Sequence, residues 1–255
     1  MKNNKSFYIS ILEMIALVTS FLVLVYKGPN ILDFIKTGKQ LPVVPIYIFI
    51  FVSLAYIIIT PLYFHKETFE KRGLCISKIK NGWKEYLFSF MFGLTILSSM
   101  IYYKSLHEEI VVDYYGVFLK FSVYLVSAFA QAVIFFSFIF FRIKNIVNCS
   151  NKFKNYYSKK IITITILSIL FAVFHYPNWT LAFLCFCFAM VIGWVYYSKP
   201  NIFLITIIHA TLGTLLHRVY QLHMKILFTY GHQEPHYSFF RKLTPWIEQL
   251  IDNRW

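Results

Sequence analysis

Apolar residues in this chain come in long runs, and the polar residues gather between them. Runs lie at about 7–26, 42–64, 86–103, 115–141, 161–177, 179–197 and 201–216. An α-helix needs about 20 such residues to cross a hydrocarbon core, and in lipid only a helix or a closed barrel satisfies its own backbone. The pattern therefore predicts an all-α fold, a polytopic membrane helix bundle of about 7–8 transmembrane helices. An eighth would be an irregular segment around 217–230, where His217, Arg218, His223 and Lys225 are too polar for a lipid-facing span. That stretch could be an interfacial helix instead. Pro42, Pro61, Pro177 and Pro200 fall near the ends of runs, where a missing N–H matters least.

Residues 1–255 read as one integral membrane domain, with 217–255 as a polar, amphipathic tail. Composition agrees: 58% of residues are hydrophobic and 14% charged, against about 25% in soluble domains. The run from Phe7 is of span length and Tyr26-Lys27-Gly28-Pro29 is a poor cleavage site, so a retained first span is expected. Cys75, Cys149, Cys185 and Cys187 fit no disulfide scaffold and read as small apolar filler.

A net charge of +14 is a feature of nucleic-acid binders, but the basic residues here fall between the runs, so no such partner is expected. Loop 65–85 carries Lys66, Lys71, Arg72, Lys78, Lys80 and Lys84, and loop 142–160 carries Arg142, Lys144, Lys152, Lys154, Lys159 and Lys160. The alternate loops hold only Lys27, Lys36, Lys39 and Lys104. The positive-inside rule then makes the first group, and the N-terminus, cytoplasmic. A composition rich in Phe, Lys and Asn points to a bacterial cell (inner) membrane. The lipid bilayer is the first expected partner.

Ionisable groups inside spans cost about 2.5 kcal/mol or more and mark candidate sites. His175 closes one run and His209 lies inside another, with Gln131 deep in a third. A helix–helix hydrogen bond is the plain structural reading of each. Three in neighbouring spans could instead share a site. Glu13 is a carboxyl within the first run, and Lys120 can snorkel. Glu108-Glu109 lies in a short polar segment and reads as a solvated loop. The histidines at 217, 223, 232 and 236 fit no zinc spacing.

The order and spacing of these elements resemble the CPBP family, also called the CAAX protease or Abi family (type II CAAX prenyl endopeptidase-like, lysostaphin resistance protein A-like). The resemblance covers about residues 60–216, with its core at about 115–216. It rests on Glu70-Lys-Arg-Gly-Leu74, Ala128-Phe-Ala-Gln-Ala-Val-Ile-Phe-Phe-Ser137, Leu170-Phe-Ala-Val-Phe-His175, Gly193-Trp-Val-Tyr-Tyr197 and Ile208-His-Ala-Thr-Leu-Gly213. In active members a Glu-Glu motif supplies the base that activates water. Two histidines position that water, ligate a metal or stabilise the oxyanion, and an Asn completes the oxyanion site.

The chain departs from that pattern at most of these positions. Gln131 and Ala132 stand where the family has Glu-Glu, Phe136 (or Phe135) where it has Arg, and Gly213 where it has Asn. Gln cannot take a proton from water at neutral pH. Only His175 and His209 remain, and the lost Asn is expected to leave a gap beside His209. Asn178, one turn past His175, could supply the missing amide.

Two functions follow as expectations. One is a degenerate, non-proteolytic member that holds a lipid, a membrane-anchored peptide or a partner protein in a vestigial cavity. The other is an active CAAX-type intramembrane endopeptidase, cleaving membrane-anchored peptides or prenylated proteins, with Glu13 as the substitute acid. No cofactor is expected, the alternative being a divalent metal at His175 and His209. A transporter would need paired broken helices, and the sequence has no such symmetry.

Overall fold

The computed structural model describes residues 6–17, 19, 43–80, 82–150, 153, 155–175 and 178–222. The remainder of the first run, the loop after it, Pro42, Pro177 and the tail with His223, His232 and His236 lie outside these. Helix α1 is Ser6–Leu17 and α2 is Val43–Phe64. A loop with a short 3-10 turn, Ile76–Lys78, leads to α3, Trp83–Ser105. Then come α4 Tyr114–Ala132, a π-helical stretch Val133–Ile139, and α5 Phe140–Cys149, which together form one unbroken rod. Helices α6 Tyr156–Val173, α7 Trp179–Tyr196 and α8 Ile202–Arg218 complete the bundle.

No strand occurs among the described residues, and the helical membrane bundle stands. Among the described residues, four elements are both long and apolar enough to cross a bilayer: Trp83–Ser105, Tyr114–Cys149, Tyr156–Val173 and Trp179–Tyr196. Shorter apolar helices, Ser6–Leu17, Ala55–Phe64 and Ile202–Arg218, stand beside them.

The helices start where local chemistry tells them to. Asn155, Asn178 and Asn201 each accept a backbone N–H from the first turn of α6, α7 and α8, at 3.0, 3.0 and 3.1 Å. These caps satisfy donors that lipid could not. Within the spans, Thr163 and Thr206 turn their hydroxyls back to the carbonyls of Lys159 and Ile202, so neither is left unpaired.

Helix α6 packs chiefly on α7, and α4 on α8. The π-helical stretch runs through the centre, with Val133, Phe136, Phe138 and Ile139 all buried. Phe135 meets Phe171 edge-on at 4.9 Å, and Phe140 meets Tyr196 at 5.0 Å. Such edge-to-face pairs add to the area they bury.

Two expectations are corrected. Loop 142–160 is not a loop throughout, because the helix runs on to Cys149. Arg142 and Arg72, read as loop charges on the cytoplasmic side, are both wholly buried. Arg142 pairs through Nε with Glu13 and through Nη1 with Glu67, at 2.8 Å for the latter. His65 Nε2 lies 3.0 Å from the same Glu13 carboxylate, and His65 Nδ1 lies 3.2 Å from Ser6 Oγ. Buried charges must be paired, and these charges are. Their partners come from α1 and the loop after α2, which hydrophobic periodicity cannot reveal.

Arg72 serves the backbone rather than one carboxylate. Pro61 in α2 has no N–H, so the carbonyl of Ile57, four residues back, loses its helical donor. Arg72 Nη2 donates to that carbonyl at 2.9 Å, and Nη1 to the neighbouring Ile58 carbonyl at 3.1 Å. Arg72 Nε donates at 3.2 Å to Ser137, inside the π-helical stretch where the α register is broken. Burial lowers its guanidinium from the ordinary value, and Glu67 at 4.0 Å opposes that. Gly73 follows with φ +70°, and its carbonyl accepts from Ile202 N at 2.9 Å, which ties the loop to the start of α8. A Cβ there would lie 2.7 Å from the backbone of Pro200 and Asn201.

Replacing Arg142 by Met should cost about 3–5 kcal/mol, since two carboxylates would lose their shared cation. Unfolding of the purified chain in mixed detergent micelles measures it. Adding Glu13→Gln to that variant should recover part of the loss, and an unchanged midpoint for Arg142→Met would refute a structural role for the cluster.

Candidate functional site

The two histidines do meet. His209 projects from α8, and His175 sits in the turn beyond α6, two residues after the helix ends at Val173. The Phe171 ring lies between them, 5.1 Å from the His175 ring and 5.7 Å from that of His209. Both histidines line a cavity of about 140 Å3 between α3, α7 and α8. Most of its wall is apolar, including Leu97, Leu181, Phe188 and Leu212. Cys185 and Cys187 also line it, and both are free thiols.

Each imidazole already has a partner. His175 Nδ1 is 2.8 Å from the Phe171 carbonyl, which can only accept, so that nitrogen carries the proton and Nε2 is the acceptor. His209 Nε2 is 3.0 Å from the Tyr124 hydroxyl. Whichever of the two donates, that nitrogen is occupied.

Tyr124 is the residue that the sequence reading missed. The expected gap beside His209 does not exist, because the Tyr124 ring fills it. A Cβ built on Gly213 would overlap Tyr124 Cε1, and would stand 3.2 Å from its Cζ and hydroxyl oxygen. The space that a side chain at position 213 would need is taken by a phenol from α4. A glycine in place of an expected larger residue was the available signal, since a close-packed interior demands that a neighbour move in.

The other candidate residues lie elsewhere. Gln131 donates to Ser127 Oγ at 3.1 Å and reaches toward Tyr124, but it is not part of the cavity wall. Asn178 uses its side-chain oxygen to cap α7, donating nothing to the cavity by that atom. Glu13 is paired with Arg142 and His65, so the structure does not bring it to the two histidines. Glu108 pairs with Lys104 at 3.4 Å on an exposed turn. Among the described residues, no carboxylate lines the cavity. Among the described residues, no group of three or more His, Cys, Asp and Glu side chains is placed to hold a metal ion. Two imidazoles, one of them engaged by a phenol, do not make the donor set of a usual zinc site.

These features define a polytopic helical membrane protein built round a histidine-lined, mainly apolar cavity. Residues 115–215 match the family model described as Type II CAAX prenyl endopeptidase Rce1-like, and the match supports membership of the CPBP family. No curated protein and no solved structure matches the chain.

Tyr124 and Gly213 should be energetically coupled. Gly213→Asn should destabilise the chain by about 1–3 kcal/mol through overpacking. In a double-mutant cycle with Tyr124→Ala, the two changes together should cost less than their sum by about 0.5–3 kcal/mol. Strict additivity of the unfolding free energies would show that the ring does not fill that space.

Proposed function

We propose that the chain is a degenerate, non-proteolytic member of the CPBP family. Its cavity holds a membrane-embedded peptide or lipidated segment of a partner protein. The observation that carries this reading is the cavity wall: both histidines line it, and no carboxylate among the described residues does. Hydrolysis of a peptide needs a base for water and donors for the oxyanion that develops. Gln131 cannot act as that base, and Glu13 is held by Arg142. The Tyr124 ring occupies the space where the family pattern places its Asn.

What remains suits binding. A cavity walled by Leu, Phe and Cys side chains, with a few polar groups converging from His175, His209 and Tyr124, takes an apolar ligand and orients its polar end. In its neutral form His175 offers an acceptor at Nε2 to a peptide N–H. From the distribution of Lys and Arg between the runs we infer that the N-terminus is cytoplasmic.

The test uses the full chain in vesicles with a lipid-anchored fluorogenic peptide. No cleavage above that of the His175→Ala variant is expected. Cleavage that is lost on His175→Ala would overturn the reading in favour of an active endopeptidase. Binding of the same peptide, followed by anisotropy, should weaken about tenfold or more on Cys185→Phe, which fills the cavity, as loss of about 1.4 kcal/mol or more.

A further inference from the structure

At the end of the bundle where α5 finishes, α6 begins and α7 ends, two lysines face one tyrosine. Lys144 Nζ lies 4.1 Å from the centroid of the Tyr197 ring, and Lys160 Nζ lies 5.7 Å from it. Lys160 also sits 3.9 Å over the Trp194 ring and is buried at 6% exposure. Its ammonium reaches the Ser198 hydroxyl at 3.4 Å. Lys144 stands 5.7 Å over Phe140 as well. Aromatic faces attract a cation, but they carry no countercharge.

The countercharge is missing from the described protein. Glu13 and Glu67 belong to Arg142, Glu70 to Lys78, Glu85 to Lys199 and Glu108 to Lys104. Glu109 and Asp113 precede α4, at the far end of a rod whose length from Asp113 to Lys144 is about 45 Å. No ion pair joins Lys144 or Lys160 to a carboxylate among the described residues. Two like charges held against the same ring, one of them buried, call for an anion between them.

The geometry points to a phosphate-binding site formed by Lys144, Lys160 and Ser198. The two ammonium groups and the Ser198 O–H supply donors to the oxygens of a singly or doubly charged phosphate. Tyr156, which meets Tyr197 edge-on at 5.7 Å, and Trp194 form an aromatic border of the kind found at the headgroup level of a bilayer. The same chemistry belongs to a phospholipid headgroup and to free phosphate. The site lies apart from the histidine cavity, whose wall contains none of these residues.

Native mass spectrometry of the delipidated full chain in detergent tests this, with phosphatidylglycerol and phosphatidylcholine as probes. The first phosphatidylglycerol should bind more tightly than phosphatidylcholine. Lys144→Gln and Lys160→Gln should each weaken it about fivefold, and the pair about 25-fold, taking about 1 kcal/mol for each lysine near an anionic headgroup. Lys160→Arg should retain binding, and Lys104→Gln, at the opposite end of α3 from the Glu85–Lys199 pair, should leave it unchanged. A second arm adds inorganic phosphate: displacement of the lipid by millimolar phosphate assigns the site to the phosphate group alone, and its failure assigns it to the whole lipid. Equal weakening by Lys104→Gln, or no preference for phosphatidylglycerol, overturns the site.

Discussion

One guanidinium holds together two places where described helices of this bundle are interrupted. Pro61 interrupts the hydrogen bonding of α2, and the π-helical stretch Val133–Ile139 interrupts that of the central rod. In water such defects are solvated at little cost, but in hydrocarbon each exposed carbonyl is expensive. Arg72 fills both, donating to Ile57, Ile58 and Ser137, while its own carbonyl accepts from the Tyr196 hydroxyl at 2.8 Å. Four segments are thereby locked in register: α2, the loop after it, the rod and α7. The Gly73–Ile202 hydrogen bond next door adds α8, which carries His209. The position of the cavity therefore depends on an arginine outside every membrane-length run.

Much of the fold was legible in the sequence, because a bilayer imposes a length rule that apolar runs must obey. Trp83–Ser105 and Trp179–Tyr196 fall close to the runs at 86–103 and 179–197. What escaped was tied to side-chain partnership. Arg72 and Arg142 look like ordinary interfacial cations when only their neighbours in sequence are considered. Their burial follows from Glu13, Glu67 and two backbone defects, none of them adjacent in the chain. Glu13 was visible as an unusual carboxyl, but not the end of the bundle it serves.

The site was legible in part for a similar reason. His175 and His209 stand out because imidazole is rare in apolar runs, and they do line one cavity. Tyr124 was invisible because a tyrosine in a membrane helix is unremarkable by composition. Its meaning comes from Gly213 on another helix. The family match over residues 115–215 fits this division, since it spans the rod, both histidines and Gly213 but not Arg72.

The interlock of Tyr124 and Gly213 also sets an order on change. A lone step from glycine to asparagine at position 213 meets a ring already in place, and so lands in a clash before it can gain any chemistry. A lone loss of the ring leaves His209 without its hydroxyl partner and opens a void. Each intermediate is worse than either end. The chain thus sits behind a ratchet: any route from this cavity to one with the family's amide must pass through a less stable protein, or alter both helices at once.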